Sequence, residues 1–284
     1  MVNLKNEFLN VTILKKGAEI RSVKSKKGTE FMWDANPNVW PMSAPVMFPV
    51  CGGLRDDKFI YENKEYTLQK HGYARFCDFE VVENSDTKAV FMLKSNEESK
   101  KSYPFDYEFT IKYELKEKSI VVTYGVLNKT DGKMYYSCGG HEAYACPEGI
   151  EEYSILFDKN VTLKSSVLNG NLLEHKTVTV LENNNKLDLK KEFFAIDALV
   201  FKEVDFDKVT LVNKNNTRKV TVEFDGFKTF MLWTKPEGDY ICLEPWCNAP
   251  DDIDSDFDFV NKKGIMCLEK GEYKEKVHTI TYED

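Results

Sequence analysis

Hydrophobic and polar residues alternate with a period of two over much of the chain. The clearest case covers residues 107–115, where Tyr, Phe, Ile, Tyr and Leu occupy every second position between Glu, Thr and Lys. Residues 120–126 repeat the pattern after a short polar turn at 116–119. Such alternation places one face of a strand in a core and the other face in water. The two runs therefore predict an antiparallel hairpin.

Shorter alternating runs recur about every ten residues, and no window of eleven or more residues shows a helical period. The predicted strands cover residues 11–14, 59–61, 66–68, 79–82, 89–93, 153–157, 209–212, 220–224, 230–233, 240–246 and 277–282. Many short strands at this spacing are typical of a sandwich or barrel. No glycine- or serine-rich linker divides the chain. The pattern therefore predicts the all-β class, with a single domain over residues 1–284 folded as a large antiparallel β-sandwich.

Residues 35–54 carry no charge and are long enough to span a membrane. However, Pro37, Pro41, Pro45 and Pro49 fall at every fourth position of this stretch. Proline in a helix interior removes a hydrogen bond and clashes with the preceding turn. We therefore expect ordered, irregular backbone over residues 36–55, lying near the mouth of a cleft, instead of a membrane span.

The composition narrows the classes of partner. Apolar residues make up 42% of the chain and charged residues 30%, which supports a folded core and excludes wholesale disorder. A net charge of −8 disfavours binding to nucleic-acid phosphates or to an anionic membrane. Lys5 and Glu7 interrupt any apolar signal segment, and the seven cysteines include no CxxC pair. We expect a cytoplasmic protein with reduced thiols.

Two segments contain candidate binding groups beside glycines. In PVCGGLRD, residues 49–56, Arg55 follows two glycines and is a bidentate donor suited to hydroxyl or carboxylate oxygens. A plain turn with a surface arginine is an equal alternative. In HGYAR, residues 71–75, His71 precedes a glycine at the end of a predicted strand. It can be a positioned donor, or a histidine with a structural role only.

Two further segments contain candidate proton-transfer groups. His141 follows two glycines in SCGGHEAY, and histidine changes charge near neutral pH. Glu244 lies in LEPW at the end of an apolar alternating strand, where a charged group needs a partner. A carboxylate beside an indole ring suits a sugar, because the carboxylate accepts a hydroxyl proton and the ring of Trp246 packs on C–H groups. A buried ion pair is the alternative for Glu244.

Other chemistries lack their motifs. The chain has no GxGxxG or GxxxxGK[ST] segment for a nucleotide and no HExxH segment. The acidic run at residues 252–258 has Phe257 where a calcium-binding EF-hand loop needs glycine. Cys242 and Cys247 lack the spacing of a zinc site and a second pair. We therefore expect neither a metal nor a nucleotide cofactor.

Taken together, the segments resemble the galactose mutarotase-like (aldose 1-epimerase) family, and within it the LacX-like branch. The resemblance extends over nearly the whole chain and rests on the number and order of short motifs: AEIRSV, PVCGGLRDDKF, HGYAR, SCGGHEAY, DALVF, LEPW, and a closing KKG followed by GEY. It implies the family's supersandwich, with a sugar bound in an open cleft on one sheet.

The resemblance also implies roles for individual residues. The catalytic base of the family matches Glu244, the catalytic acid matches His141, and a second, assisting histidine matches His71. Sugar-binding residues of the family match Arg55 and, less directly, Asp197. One departure concerns Glu142, which stands where the branch usually has proline after the histidine. If it pointed into the cleft, this carboxylate would raise the pKa of His141.

The residue types fit the interconversion of sugar anomers without reference to the family. A base removes the proton of the anomeric hydroxyl while an acid protonates the ring oxygen, and this requires no cofactor. The predicted function is an aldose 1-epimerase acting on a free hexose such as galactose or glucose, as a monomer or homodimer. Three alternatives stay open. One is a non-catalytic sugar-binding protein, and another is a glycoside hydrolase that uses Glu244 with either Asp197 or Glu142 as its two carboxylates. The third is a mutarotase for sugar phosphates, in which Arg55 and Arg75 could bind the phosphate.

Overall fold

The computed structural model describes residues 1–284 and consists almost entirely of β-strands. The only α-helix, α1, has four residues, so no helix has the length or apolarity that a membrane crossing needs. The elements are β1 (Val2–Lys5), β2 (Leu9–Ile13), β3 (Ile20–Ser25), β4 (Lys58–Tyr61), β5 (Lys64–Thr67), β6 (Glu80–Asn84), β7 (Lys88–Lys94), α1 (Ser99–Ser102), β8 (Tyr107–Lys116), β9 (Ser119–Asn128), β10 (Met134–Tyr136), β11 (Glu142–Ala145), β12 (Tyr153–Asn169), β13 (Leu172–Asp188), β14 (Leu199–Lys202), β15 (Lys208–Asn213), β16 (Lys219–Glu223), β17 (Thr229–Trp233), β18 (Tyr240–Trp246), β19 (Met266–Leu268) and β20 (Tyr273–Glu283).

Thirteen strands form one large antiparallel sheet. Its order is β11-β18-β17-β14-β12-β15-β16-β20-β9-β8-β7-β6, with β13 paired to β12 beside this path. One smaller sheet has three strands, β1, β2 and β3. Two others have two strands each, β4 paired with β5 and β10 paired with β19. The predicted all-β, antiparallel sandwich is confirmed. Strand β18 carries Glu244, and β11 begins directly after His141. The two strands are neighbours at one end of the sheet although about 100 residues separate them along the chain.

The predicted hairpin at residues 107–126 is present as β8 and β9, paired in register from Tyr107 with Asn128 to Lys116 with Ser119. Burial alternates strictly along β8, as the sequence pattern requires. Its buried face joins a cluster of apolar side chains that also contains the buried residues of β1, β2 and β3. The hydroxyl of Tyr113 donates to the carbonyl of Ala18, 2.8 Å away, which links the two sheets.

The proline-punctuated segment, residues 36–55, forms ordered backbone without a strand, as predicted. Most of residues 43–54 are buried, so the segment is part of the core and not a surface loop. The ring of Phe48 stacks on that of Phe109 in β8, with 4.2 Å between ring centroids and 11° between planes. This contact anchors the irregular segment to the large sheet.

The sequence pattern missed the length of one hairpin. Strand β12 continues twelve residues beyond the predicted strand at 153–157, and β13 was not predicted at all. Most of β13 is exposed, so its residues show no alternation between a buried and an exposed face. Backbone pairing with β12, interrupted by several register shifts, holds it in the extended form. His175, which sequence context alone suggests is a loop residue, lies on this strand.

We expect Phe48→Ala to reduce the free energy of unfolding by about 3–5 kcal/mol, because the substitution leaves a cavity between the irregular segment and β8. Urea denaturation measures the change. Val82→Ala is the matched control, since Val82 is 43% exposed and its truncation should change stability by less than about 0.5 kcal/mol. Equal effects of the two substitutions would contradict the anchoring role.

Candidate active site

A pocket of about 290 Å³ opens on the large sheet where β11, β18 and β17 lie side by side. Alternation along β18 directs Ile241 and Leu243 into the main core and Glu244 and Trp246 onto the pocket side. Five of the six residues singled out in the sequence line this pocket: His71, His141, Asp197, Glu244 and Trp246. They come from four distant parts of the chain.

Glu244 lies in the middle of the site and is almost completely buried, with 1% of its surface exposed. Its backbone pairs with Met231 of β17, in a part of the sheet with neighbouring strands on both sides. Neither carboxylate oxygen has a hydrogen-bond partner within the protein. Burial raises the pKa of this carboxyl well above its ordinary value of 4.5, and Lys70 opposes the shift in part. An unpartnered buried carboxyl is costly, and a ligand hydroxyl would satisfy it.

His141 directly precedes β11 and places its Nε2 atom 3.4 Å from Oε2 of Glu244. Its ring stacks on Trp40, with 5.2 Å between centroids, and meets the edge of Trp233 at 5.5 Å. Burial lowers the pKa of this histidine to about 3. The imidazole is therefore neutral at neutral pH.

Glu244 and His141 are close enough to exchange a proton, with 3.4 Å between Oε2 and Nε2. Burial disfavours the charged form of both groups, so the protein alone favours a neutral carboxyl beside a neutral imidazole. Moving that proton from Glu244 to His141 produces a carboxylate base beside an imidazolium acid. The two arrangements have the same total charge, and the pair titrates as a unit. Hydroxyl groups of a ligand that enters the pocket would stabilise the charged arrangement.

His71 is held as one tautomer. The backbone N–H of Gly52 donates to Nδ1 of His71 over 3.1 Å, so the proton of the neutral ring is on Nε2. Burial, and after it the neighbouring His141, lower the pKa of His71 well below 6.5. The two imidazole rings meet edge to face, with 5.6 Å between centroids. His71 is therefore a neutral hydrogen-bond donor at the pocket.

The backbone that presents His71 is unusual. His71 itself has φ +66°, and Gly72 after it has φ +67°. A side chain at position 72 would meet the carbonyl oxygen of Phe48 at 2.2 Å, so only glycine fits there. A non-glycine residue in this conformation is strained, and such strain is concentrated at functional sites. It is maintained here by the hydrogen bond from Gly52.

Trp246 has a different role from the one expected of it. It is 1% exposed, and its indole N–H donates to the carbonyl of Gly140 over 3.2 Å. It therefore forms the floor of the pocket and fixes the backbone just before His141. The half-buried rings of Trp40 and Trp233 form the walls and are better placed than Trp246 to pack on the C–H groups of a ligand. Sequence reasoning missed both, although four tryptophans in the chain were a usable signal.

Polar groups at the rim include two cations, Lys70 and Arg75. The sequence offered Arg75 only as a ligand for a phosphate group and did not indicate Lys70. Lys70 lies 3.9 Å from the carboxylate of Asp197, and both line the pocket. Arg75 also lines it and donates to the carbonyl of Lys70 over 2.7 Å. Burial lowers the pKa of Arg75 to about 10, so it stays charged at neutral pH. Its buried Nε atom has no partner in the protein.

Arg55 lies outside this pocket, contrary to expectation. Its guanidinium donates to the carbonyl of Ser255 over 2.7 Å and lies 4.7 Å from the ring of Phe257. The glycines before it serve packing, since a side chain at Gly52 would approach Pro250 to 2.5 Å. Arg75 is the arginine of the pocket. The motif was visible in the sequence, but the direction in which the loop carries its arginine was not.

Glu142 points away from the pocket. Strand alternation turns it to the core side of β11, where its carboxylate lies 3.1 Å from Nε2 of His278. Its proposed effect on His141 is therefore corrected: burial lowers the pKa of His141, and Glu142 is not among the causes of the shift. Because it does not face the pocket, Glu142 is also excluded as the second carboxylate of a glycosidase. Asp197 is the carboxylate that shares the pocket with Glu244.

Solved structures share this architecture. A galactose mutarotase related enzyme from Lactobacillus acidophilus matches with a TM-score of 0.94 and 32% identity, covering 99% of this chain and 97% of that chain. A galactose mutarotase-like protein from Lactobacillus casei matches with a TM-score of 0.94 at 24% identity, with 100% of each chain covered. The second likeness concerns the fold alone.

Sequence comparison is consistent with the structural likeness. Protein LacX, plasmid, from Lactococcus lactis subsp. lactis is 34% identical over 259 residues, which cover 86% of this chain and 87% of that protein. Its chromosomal counterpart from the same organism matches equally well. The family model for aldose 1-epimerase matches residues 1–280. The chain therefore belongs to the aldose 1-epimerase family.

Proposed function

We propose that this protein is a mutarotase that interconverts the α and β anomers of a free hexose, with glucose and galactose as the first candidates. The observation that carries the proposal is the contact between Glu244 and His141, whose Oε2 and Nε2 atoms lie 3.4 Å apart, buried side by side in a sugar-sized pocket. Anomer interconversion needs one base and one acid at neighbouring oxygen atoms, and it returns both to their starting state.

In the first half-reaction the carboxylate of Glu244 accepts the proton of the anomeric hydroxyl. His141 donates its proton to the ring oxygen as the bond between the anomeric carbon and that oxygen breaks. The product is the open-chain aldehyde, and the electron pair of the broken bond stays on the former ring oxygen. The pair still holds one proton in total, now on Glu244, so no cofactor is consumed.

Ring closure repeats these steps in reverse. Rotation about the bond between the aldehyde carbon and its neighbour presents the other carbonyl face to the hydroxyl. His141 removes the hydroxyl proton as the ring closes, and Glu244 returns its proton to the carbonyl oxygen. His71 donates from Nε2 and holds the sugar near the ring oxygen throughout. Trp40 and Trp233 would pack against C–H groups, and Asp197, Lys70 and Arg75 would bind outer hydroxyls.

A non-catalytic sugar-binding protein is the main alternative and would have the same pocket. The buried, unpartnered carboxyl of Glu244 argues against it, because a binding site gains nothing from a strongly shifted pKa. A sugar phosphate is the second candidate as substrate, supported by Lys70 and Arg75 in the pocket. Rates with glucose and glucose 6-phosphate, each corrected for the spontaneous reaction, distinguish the two substrates.

Glu244→Gln should lower the turnover number at least about a hundredfold, since an amide of the same shape cannot accept the proton. Sugar affinity should stay within about threefold of the parent. Polarimetry of freshly dissolved α-glucose and α-galactose measures turnover, and calorimetry measures affinity. Glu237→Gln, at an exposed position, is the control and should be fully active. Near-normal turnover of the Glu244→Gln variant at saturating sugar would remove Glu244 from the mechanism.

The two histidines should differ in their effects. His141→Gln removes the acid and should lower turnover at least about a hundredfold. His71→Asn keeps an acceptor for the N–H of Gly52 but lacks the donor at Nε2, so about a tenfold loss in kcat/KM is expected, mainly through KM. Steady-state polarimetry separates the two constants. Full activity of both variants would support the binding-protein alternative.

The pH profile of kcat/KM should follow the buried pair. On acidification, activity is lost when His141 becomes protonated while Glu244 still carries its own proton. The pKa of His141 is about 3, so this loss occurs well below pH 6.5. On alkalinisation, activity is lost when Glu244, with its raised pKa, gives up the last proton. We therefore expect no fall in kcat/KM as the pH is lowered to about 5, checked by polarimetry with circular dichroism as a folding control. A fall centred near pH 6.5 on acidification would show a solvated histidine instead.

A further inference from the structure

Cys242 lies on the pocket side of β18, two residues before Glu244. It is completely buried in a small apolar cluster with Trp33, Ala143 and Tyr240, against which Trp40 packs. The mechanism above gives it no part. Yet its Sγ atom, a ring nitrogen of His141 and a carboxylate oxygen of Glu244 all lie within 4.8 Å of one another.

These three donors match the ligand preferences of zinc. Zinc binds thiolate at about 2.3 Å and imidazole nitrogen or carboxylate oxygen at about 2.0–2.2 Å, usually in a tetrahedron. Neighbouring donors in such a tetrahedron are about 3.3–3.7 Å apart. The nitrogen and oxygen of His141 and Glu244 are already 3.4 Å apart. Closing the rest of the site requires side-chain movement of about 1 Å.

The donor atoms are also free of competing partners. Neither oxygen of Glu244 accepts a hydrogen bond from the protein, although only 1% of the residue is exposed. A divalent cation would compensate a buried carboxylate that accepts no hydrogen bond from the protein and that Lys70 compensates only in part. When zinc binds, the thiol of Cys242 and the carboxyl of Glu244 each release a proton to solvent, and His141 binds as the neutral imidazole. Bonds from zinc to sulfur, oxygen and nitrogen form with no change of oxidation state.

We propose that Cys242, His141 and Glu244 form an inhibitory site for zinc and related thiophilic divalent cations, with the fourth coordination position open to the pocket. A metal ion there occupies the proton-transferring atoms and excludes the sugar. The site is distinct from any cofactor requirement, since the metal blocks the pair instead of supporting it. The inference goes beyond the proposed function, and metal binding can be measured without any sugar.

The direct test uses cobalt(II) as a spectroscopic probe for the zinc site. The parent protein should develop an intense near-ultraviolet absorption from thiolate coordination and the visible bands of a tetrahedral ion. Cys242→Ala and Cys242→Ser should both lose the thiolate band. Cys146→Ala, at a buried cysteine outside the site, should keep it. A parent protein without the thiolate band, or a band that survives both Cys242 substitutions, would overturn the proposal.

A second experiment measures inhibition by zinc ions during mutarotation. The zinc concentration for half-inhibition should rise at least about tenfold in Cys242→Ala, each variant being normalised to its own activity without metal. His175→Ala is the matched control, because the exposed His175 and Asp254 and the half-buried Asp252 form a second group of potential ligands away from the pocket. That variant should be inhibited like the parent, and excess sugar should protect both.

The outcomes separate this proposal from the proposed function. Equal zinc sensitivity of the parent and Cys242→Ala would contradict the inhibitory site even if the protein is a mutarotase. Loss of sensitivity in His175→Ala would assign inhibition to the second group of potential ligands and also contradict it. If no sugar is turned over, the proposed function fails, and the cobalt spectrum still decides whether the three residues bind metal.

Discussion

The site depends on one constraint, the burial of the Glu244 carboxyl without a hydrogen-bond partner from the protein. Burying such a group is unfavourable, and a flexible segment would relieve the cost by turning it to solvent. The interior of the sheet prevents this, because β18 is paired on both sides, to β11 and β17. The same burial shifts the pKa of Glu244 upward and that of His141 downward, so that each group is biased toward its neutral form. The large apolar core elsewhere supplies the stability that offsets this cost.

Strand alternation separates two buried Glu–His pairs that are close in space. Glu244 lies beside His141 on the pocket face, and Glu142 lies beside His278 on the core face of the neighbouring strand. The first pair lines the pocket and is open to a ligand, whereas the second pair is enclosed between the layers of the sandwich. A shift of β11 by one residue would exchange the faces of His141 and Glu142. The register of β11 with β18 is therefore a condition for the chemistry.

The irregular segments supply side chains and hydrogen bonds of the site that the strands do not. Residues 36–55 contribute Trp40 to the wall of the pocket, while Phe48 anchors the same segment to β8. Gly52 in this segment selects the tautomer of His71, and the close approach of Gly72 to Phe48 holds the strained backbone there. The irregular segments thus provide orientation, and the sheet provides the burial that shifts the pKa values.

The sequence by itself determined the strands whose two faces differ, such as β8 and β9, because alternation records which side is buried. It also identified Glu244, because a charged residue in an apolar strand is costly unless it has a partner or a ligand. It singled out both glycine-flanked histidines as well. Tertiary structure decided the rest. The exposed strand β13 shows no alternation, and only its pairing with β12 makes it extended. The replacement of Arg55 by Arg75 in the pocket, the walls formed by Trp40 and Trp233, and the meeting of Cys242 with His141 all depend on where loops and distant strands come together. Local sequence patterns report burial and backbone preference, whereas proximity across the fold depends on long-range strand pairing that no short segment encodes.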